Sequence, residues 1–547
     1  MIVCHNSQNS LMREPFGAAE CGKLVQLRIY LTECEDAKCT LRLWDDKETL
    51  IPMERDGEYF RAEIKMPEEP GLLWYAFVIE SEGKIWFYNN AEDNLGGEGR
   101  LLPYLENSYQ ITVYRKKNIP AWYREGMMYQ IFPDRFNRGS DFAERAAAHT
   151  QKRTMLPHIL DTDWNDEPFY MKDENGDITK WPFFGGTLTG ITEKLDYLKE
   201  IGISILYLNP IFEASSCHRY DTADFHRVDP GLGDEESFAM LISEAEKRGM
   251  KIILDGVFSH VGRDSVYFDQ FGSFGGNGAY ENPDSPYADW FKKDENGEYT
   301  YWWGVRDLPN ADKNSEKYRE FIYKNEDSVV RHWLKKGIKG WRLDVADELP
   351  DSFIEGIRTA MNEEDEDSIL IGEVWEDASN KISYGKLRSY FNGKELDSTM
   401  NYPFRKGFIE YLLGDIDGET LSRQMMSLAE NYPPQNFYAA MNLVGSHDRT
   451  RASEEEPKLS EEQYQTALRR IRMMFEAQML FPGVPSVYYG DEAGLEGLTD
   501  PYNRATFPWG KVNEDIFGAF KFAADLRREY DVLKNGSFRC ESPDAAL

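Results

Sequence analysis

The sequence is poor in cysteine, short of basic residues and without any long apolar run, and each shortage excludes something. Six Cys among 547 residues are too few for a disulfide scaffold, and although Cys4, Cys21, Cys34 and Cys39 lie early, no C-x-x-C pair suggests zinc. Ordinary reduced thiols in a cytoplasmic protein are expected. Lys and Arg total 63 against 96 Asp and Glu, a formal charge of −33. So acidic a surface repels phosphate backbones and anionic lipid, which argues against nucleic acid and membrane partners but leaves neutral ligands unaffected. No stretch approaches the ~18 consecutive apolar residues of a transmembrane helix. The opening stretch 1–16 lacks a basic region followed by an apolar run and does not read as a secretory signal. Apolar material is abundant: 41% hydrophobic and 14% aromatic residues are enough for a large packed core and too much for global disorder.

Residues 1–118 read as a β-sandwich. Leu24–Leu31, Thr40–Trp44, Tyr59–Met66, Leu72–Glu80, Lys84–Tyr88 and Tyr109–Tyr114 are short runs rich in β-branched and aromatic residues. Turn clusters such as Arg55-Asp56-Gly57 separate them at sandwich-like spacing. A charged segment ending at Pro120 serves as linker. From Met127 the period changes to apolar strands alternating with amphipathic helices, the βα signature of a parallel sheet. Ile191, Leu195, Leu198 and Ile201 fall on one helical face; Phe238, Leu241, Ile242 and Ala245 line another, ended by Gly249 as C′ residue. Strands are expected at Met127–Phe132, Ile203–Leu208, Lys251–Phe258, Lys339–Leu343, Ile369–Val374, Ser398–Phe404, Phe437–Leu443 and Pro485–Tyr489. Eight such units over 119–535 predict a closed (β/α)8 barrel. The Gly- and aromatic-rich stretch 261–310 is expected to protrude as a subdomain on the third βα loop. Val512–Leu533 reads as the last helix, and 536–547 as the start of a truncated C-terminal β-domain.

In such a barrel, function sits where the strands end. The third strand delivers Asp255 through His260, the fourth Arg342 and Asp344, the fifth Glu373 and Trp375, and the seventh His447 and Asp448; His218 and Tyr220 follow the second. Any one of these Asp residues taken alone reads more readily as an N-cap than as a functional group. Three carboxylates on different strands, flanked by Arg, His and Trp, do not, because charges converging in one cleft raise each other's pKa. Asp344 and Glu373, 29 residues apart, should flank one pocket from adjacent strands. Retaining glycoside hydrolysis needs such a pair at about 5–5.5 Å, one attacking the sugar carbon and the other serving as acid and then base. Arg342 beside Asp344 is expected to keep it ionised. Val374 and Trp375 are expected to give Glu373 a less polar setting that holds its proton. Asp448 would stabilise an oxocarbenium-like transition state.

These segments resemble the α-amylase family of glycoside hydrolases (family 13), over most of 120–510. Its four regions stand in order as DGVFSH (255–260), GWRLDVADE (340–348), GEVW (372–375) and GSHD (445–448). The resemblance implies Asp344 as nucleophile, Glu373 as acid/base and Asp448 as transition-state stabiliser. It implies Arg342, His260 and His447 as sugar contacts, Tyr220 as the aromatic stacked on the cleaved sugar, and Asp255 as largely structural. YQIFPDRF (129–136), HRYDTADF (218–225) and YYGDEAG (488–494) look like the neopullulanase, cyclomaltodextrinase and maltogenic amylase group. Arg504, in the segment 500–504, is reminiscent of that group and of amylopullulanases. The group implies α-glucan oligosaccharides as substrates, a cytoplasmic setting, and a homodimer in which the N-terminal domain narrows a partner's active site. Relatives carry an Asp near a calcium site where this chain has Thr187. Calcium takes six or more oxygens, so the site is disfavoured, no metal ligand is assigned and no cofactor is required.

The same three carboxylates would serve a transglycosylase or isomerase, and a non-catalytic glucan-binding relative is the alternative from another class. Trp302-Trp303 reads equally as sugar-stacking or as packing within the insertion, and Tyr488-Tyr489 as barrel packing.

Overall fold

The computed structural model describes residues 1–150, 157–161, 163–175, 178–451 and 461–542. Toward the N-terminus two sheets face each other. One is built on Leu24–Thr32 and Tyr59–Lys65; the other places Gly71–Ser81 between Lys38–Trp44 on one edge and Lys84–Asn89 with Tyr109–Tyr114 on the other. Alternation decides the inner face. Val25, Leu27, Ile29 and Leu31 are buried while the residues between them are not, and they meet Leu41, Tyr75, Phe77 and Ile111 of the opposite sheet. Burying each such side chain contributes about 1.5–3 kcal/mol. Every strand expected in this region forms. Ile2–Cys4 and Glu48–Pro52 are additional edge strands, too short or too polar to stand out in the sequence.

Eight parallel strands follow: β1 (Met128–Ile131), β2 (Ile205–Leu208), β3 (Lys251–Gly256), β4 (Gly340–Leu343), β5 (Ile369–Gly372), β6 (Ser398–Thr399), β7 (Met441–Leu443) and β8 (Val484–Tyr488). They pair in the order β6-β5-β4-β3-β2-β1-β8-β7, and a parallel bridge between Met400 and Met441 joins β6 to β7 and closes the barrel. Met128, Ile205, Tyr207, Ile253, Ile371, Leu443 and Val484 fill the interior as one apolar cluster. The outward side chains of the strands pack on the surrounding helices.

Two strands fall furthest short of the expected ranges, for the same reason. Asn401 caps the helix Tyr402–Leu413 by accepting from the Phe404 amide, with Pro403 in its first turn, so β6 ends at Thr399. Pro433 and Pro434 open a short helix over Pro434–Phe437, and β7 begins only at Met441. Gly249 takes φ 77° behind the helix Glu235–Lys247, as a C′ glycine should. The insertion 261–310 carries two short 3-10 turns and an aromatic core of its own around Phe268, Phe291 and Tyr299. The strand expected from Gly536 does not form over 536–542. There Phe538 packs on Phe437 and Phe481, and Ser422 Oγ donates to the Cys540 carbonyl at 2.7 Å. Residues 543–547 lie outside the described ones.

The two parts are joined by a buried ion pair. Arg13 Nη1 donates to Glu430 Oε1 at 2.7 Å, with both side chains almost wholly out of solvent.

Candidate active site

Arg342 organises the mouth of the barrel. It points inward from β4, fully buried, and its Nη1 donates to Asp255 Oδ1 at 2.8 Å and to Asp344 Oδ1 at 2.9 Å. Its Nη2 lies 2.7 Å from Glu373 Oε2. One guanidinium thus ties together the carboxylates at the ends of three adjacent strands. Asp255 is further fixed by the hydroxyls of Tyr207 and Tyr220, which donate to Oδ2 at 2.6 and 2.9 Å.

The chain makes a strained turn immediately after Asp344. Val345 sits at φ 38°, ψ 61°, a left-handed conformation that a β-branched residue rarely adopts. The turn aims the Val345 N–H at Glu373 Oε2, 2.8 Å away. Trp375 Nε1 donates to Glu373 Oε1 at 3.0 Å, while the indole ring lies parallel to Tyr402 at 4.7 Å under the Arg449 guanidinium.

This geometry overturns the electrostatics expected from neighbours in sequence. Glu373 is not in an apolar setting; a guanidinium, a backbone amide and an indole N–H surround it. Arg342 does lower the pKa of Asp344, but burial outweighs it, and Glu373, Asp255 and Asp448 add to the upward push. The Asp344 carboxyl is therefore held well above the ordinary carboxylate range. Adjacent positions in the chain did not reveal that Arg342 is shared among three acids.

At the end of β7, His447 is buried and its tautomer follows from its partners. Gln130 Nε2 and Asn209 Nδ2, both amide donors, lie 2.9 and 3.2 Å from Nδ1, so Nδ1 accepts. Nε2 then carries the proton and faces the Tyr220 oxygen at 2.5 Å and Asp448 Oδ2 at 3.1 Å. Burial, with Arg504 and Arg342 nearby, drives the His447 pKa well below its usual value and keeps the ring neutral. Arg504 anchors the other side of Asp448: Nη2 lies 3.4 Å from its Oδ1, Nε donates to the His447 carbonyl at 3.0 Å, and Nη1 pairs with Asp500 at 3.0 Å. His260 bonds through Nδ1 to Ser259 Oγ at 2.8 Å, its Nε2 is buried without a protein partner, and burial drops its pKa to about 3.

The structure thus gathers Asp255, Arg342, Asp344, Glu373, Trp375, Tyr220, His447, Asp448 and Arg504 into one network of direct contacts, while His260 lies against Trp302 of the insertion, ring centres 5.4 Å apart. A cleft of about 310 Å³ opens beside it, lined by Tyr170, Trp181, His218, Asp221, Arg263 and Asp500. Gln130, Tyr207 and Asn209 belong to the site but did not stand out in the sequence. Their signal was a polar group inside or just after an apolar strand, facing the barrel interior.

Among the described residues, no group of three or more His, Cys, Asp or Glu is placed to hold a metal ion. Beside Thr187, Asp141 accepts from the Thr187 and Thr189 hydroxyls and pairs with Arg145. A carboxylate already carrying a guanidinium is a poor fit to calcium.

Residues 130–515 match the family described as alpha amylase, catalytic domain. An amylopullulanase of Thermoanaerobacter thermohydrosulfuricus is 37% identical over 97% of this chain, which spans 39% of that protein's length. A cyclomaltodextrinase of Geobacillus thermopakistaniensis is 30% identical over 89% of this chain and 76% of its own. Among solved structures, the type III pullulan hydrolase from Thermococcus kodakarensis superposes with a TM-score of 0.67, at 27% identity, over 98% of this chain and 89% of that one.

Proposed function

The chain belongs to the α-amylase family of glycoside hydrolases, and from that membership we propose that it is a retaining glycosidase cleaving α-glucosidic bonds in maltodextrins, cyclodextrins or pullulan. The observation that carries this reading is the contact of Asp344 and Glu373 with the two terminal nitrogens of Arg342, at 2.9 and 2.7 Å. Two carboxylates from adjacent strands meet at one buried cation at the open end of the barrel, and a close pair of carboxyl groups is what double displacement uses.

The roles follow the order of the family's motifs. Asp344 attacks the anomeric carbon while Glu373 gives its proton to the departing glycosidic oxygen, so that a glucosyl ester forms as the C–O bond breaks. Glu373 then takes a proton from water, whose oxygen attacks the same carbon and releases Asp344. Asp448 stabilises the cationic sugar. The buried, unpartnered Nε2 of His260 and the Nε2–H of His447 suit hydroxyls of the bound glucosyl unit. Arg504 and Trp375 orient Asp448 and Glu373. No step calls for a metal or organic cofactor.

We assign 1–118 to a β-sandwich and 119–535 to the catalytic barrel. A homodimer through the sandwich is supported by Trp44, Leu50 and Ile85, all exposed on one face of its larger sheet. A cytoplasmic setting is supported by the six free thiols.

Product analysis on γ-cyclodextrin and pullulan, comparing the unaltered protein with Asp344→Asn, tests the function. Linear sugars or panose released only by the unaltered protein are expected. Products longer than cleavage can yield would assign a transglycosylase instead, and binding without turnover by folded protein would assign a glucan-binding module.

A further inference from the structure

The two carboxyl oxygens of Glu373 are held unequally. Oε2 meets Arg342 Nη2 at 2.7 Å and the Val345 amide at 2.8 Å, and both of these groups can only donate. An oxygen so occupied is a poor seat for a proton, so the proton that an acid/base exchanges belongs on Oε1. Among the described residues Oε1 has one partner, the indole N–H of Trp375 at 3.0 Å. The position of that indole therefore decides where Oε1 points.

Trp375 is 37% exposed, and a loop side chain so open to solvent needs a contact to keep one rotamer. Residues from the next two strand ends supply it. Tyr402, after β6, lies parallel to the indole with ring centres 4.7 Å apart. Arg449, after β7, sets its guanidinium carbon 4.0 Å from the indole centre and 5.9 Å from the Tyr402 ring centre, so it reaches both rings.

Arg449 has no competing attachment. Its neighbours Arg451 and Arg504 pair with Asp491 and Asp448, whereas among the described residues no carboxylate lies within ion-pair distance of Arg449. Its Nε is buried without a hydrogen-bond partner. A guanidinium that gives up water without gaining an acceptor is held by the ring face beside it, and Trp offers the strongest such face. The main chain fixes where the side chain starts: the Arg449 N–H donates to the Ser446 carbonyl at 3.2 Å, and its carbonyl accepts from Asn503 Nδ2 at 3.0 Å.

Resting on the function proposed above, we propose that Arg449 is a positioning residue for the acid/base. By clamping the Trp375–Tyr402 pair, it keeps the indole N–H on Glu373 Oε1, the oxygen that exchanges the proton. Its effect reaches the reaction through Trp375 and falls on proton transfer rather than on sugar binding.

The test compares Arg449→Met, which keeps the bulk and drops the charge, with Arg449→Lys, which keeps the charge. On maltoheptaose, whose departing sugar needs a proton, Arg449→Met should lower kcat about tenfold while KM stays within about twofold. On a dinitrophenyl α-maltoside, whose leaving group needs none, kcat/KM should change less than about twofold. Arg449→Lys should recover most of the lost kcat. In a Trp375→Phe background, which keeps a ring but lacks the N–H, adding Arg449→Met should lower kcat no further. A raised KM with kcat held, equal loss on both substrates with a lowered melting temperature, or full additivity with Trp375→Phe overturns the proposal. The indole N–H signal of Trp375, identified by its loss in Trp375→Phe, should exchange with solvent about tenfold faster in Arg449→Met and return in Arg449→Lys. That measurement needs no turnover, so it decides the clamp even if the proposed hydrolysis fails; unchanged exchange overturns it.

Discussion

The backbone N–H of Val345 lies 2.8 Å from Oε2 of Glu373, and it reaches there because Val345 holds φ 38°, ψ 61°. The residue next to the proposed nucleophile thereby positions the proposed acid/base through its main chain. Strain is kept in the left-handed turn and spent on aligning two strand ends.

That strain is measurable. Val345→Asn, a residue that tolerates the left-handed region, should raise stability by about 1 kcal/mol while activity stays within a few-fold, since the N–H remains. Denaturant unfolding beside kcat/KM on a maltodextrin checks both; a destabilised variant would show that the conformation is not strained.

Glu373→Gln should lower hydrolysis of maltodextrins by about 10²–10⁴. An aryl α-glucoside whose phenolate leaves without a proton should suffer much less in its first step. Asp344→Asn should abolish both, because no nucleophile remains. Equal losses on the two substrates with Glu373→Gln would remove it from the acid role.

The raised pKa of Asp344 sets the acid limb of activity. Protonated Asp344 cannot attack, so kcat/KM should rise with pH through a value above the ordinary carboxylate pKa of about 3.9. A pH profile at low substrate concentration reads the free enzyme, and a limb at or below the ordinary value would contradict the burial and like-charge argument.

Glu395 gives a second pH dependence, in stability. It is buried beside Asp351 and Glu355, its Oε2 has no protein partner, and burial pushes its pKa from 4.5 up to about 9. Because the folded value is the higher one, the neutral carboxyl's contribution is complete below pH 4.5 and lost as pH rises toward 9. Glu395→Gln, neutral throughout, should match the unaltered protein near pH 4.5 and melt on the order of a few degrees higher at pH 8–9. Melting curves across that range with a constant difference would refute it.

Arg13 and Glu430 join the sandwich to the barrel. Arg13→Ala strands a buried carboxylate and should cost about 3–5 kcal/mol, whereas Arg13→Met with Glu430→Leu should cost far less. Unfolding of the single and double variants distinguishes a charge-pairing role from simple packing loss.

Element types and the chemical inventory are local properties, legible along the chain. Alternation in Leu24–Thr32 and the apolar runs of the barrel strands are local patterns, and they specify local structure. The residues at the strand ends, Asp255, Arg342, Asp344, Glu373 and Asp448, are legible for the same reason: a βα unit places its functional residue at a known position along the chain. Short elements were less legible where a cap or proline competes, as at Thr399 and Pro434.

How those residues share partners depends on packing in three dimensions. Reading along the chain, Arg342 belongs to Asp344, two residues away; in space it serves Asp255 and Glu373 as well, and burial with the neighbouring acids raises Asp344 in spite of it. Trp303, Glu348 and Tyr384 meet across separations of 45 and 36 residues, which no helical or strand period relates. Burial, which raises Asp344 and Glu395, is a property of everything packed around a group. Coulomb and desolvation energies depend on distance through space, and a sequence states distance only along the chain.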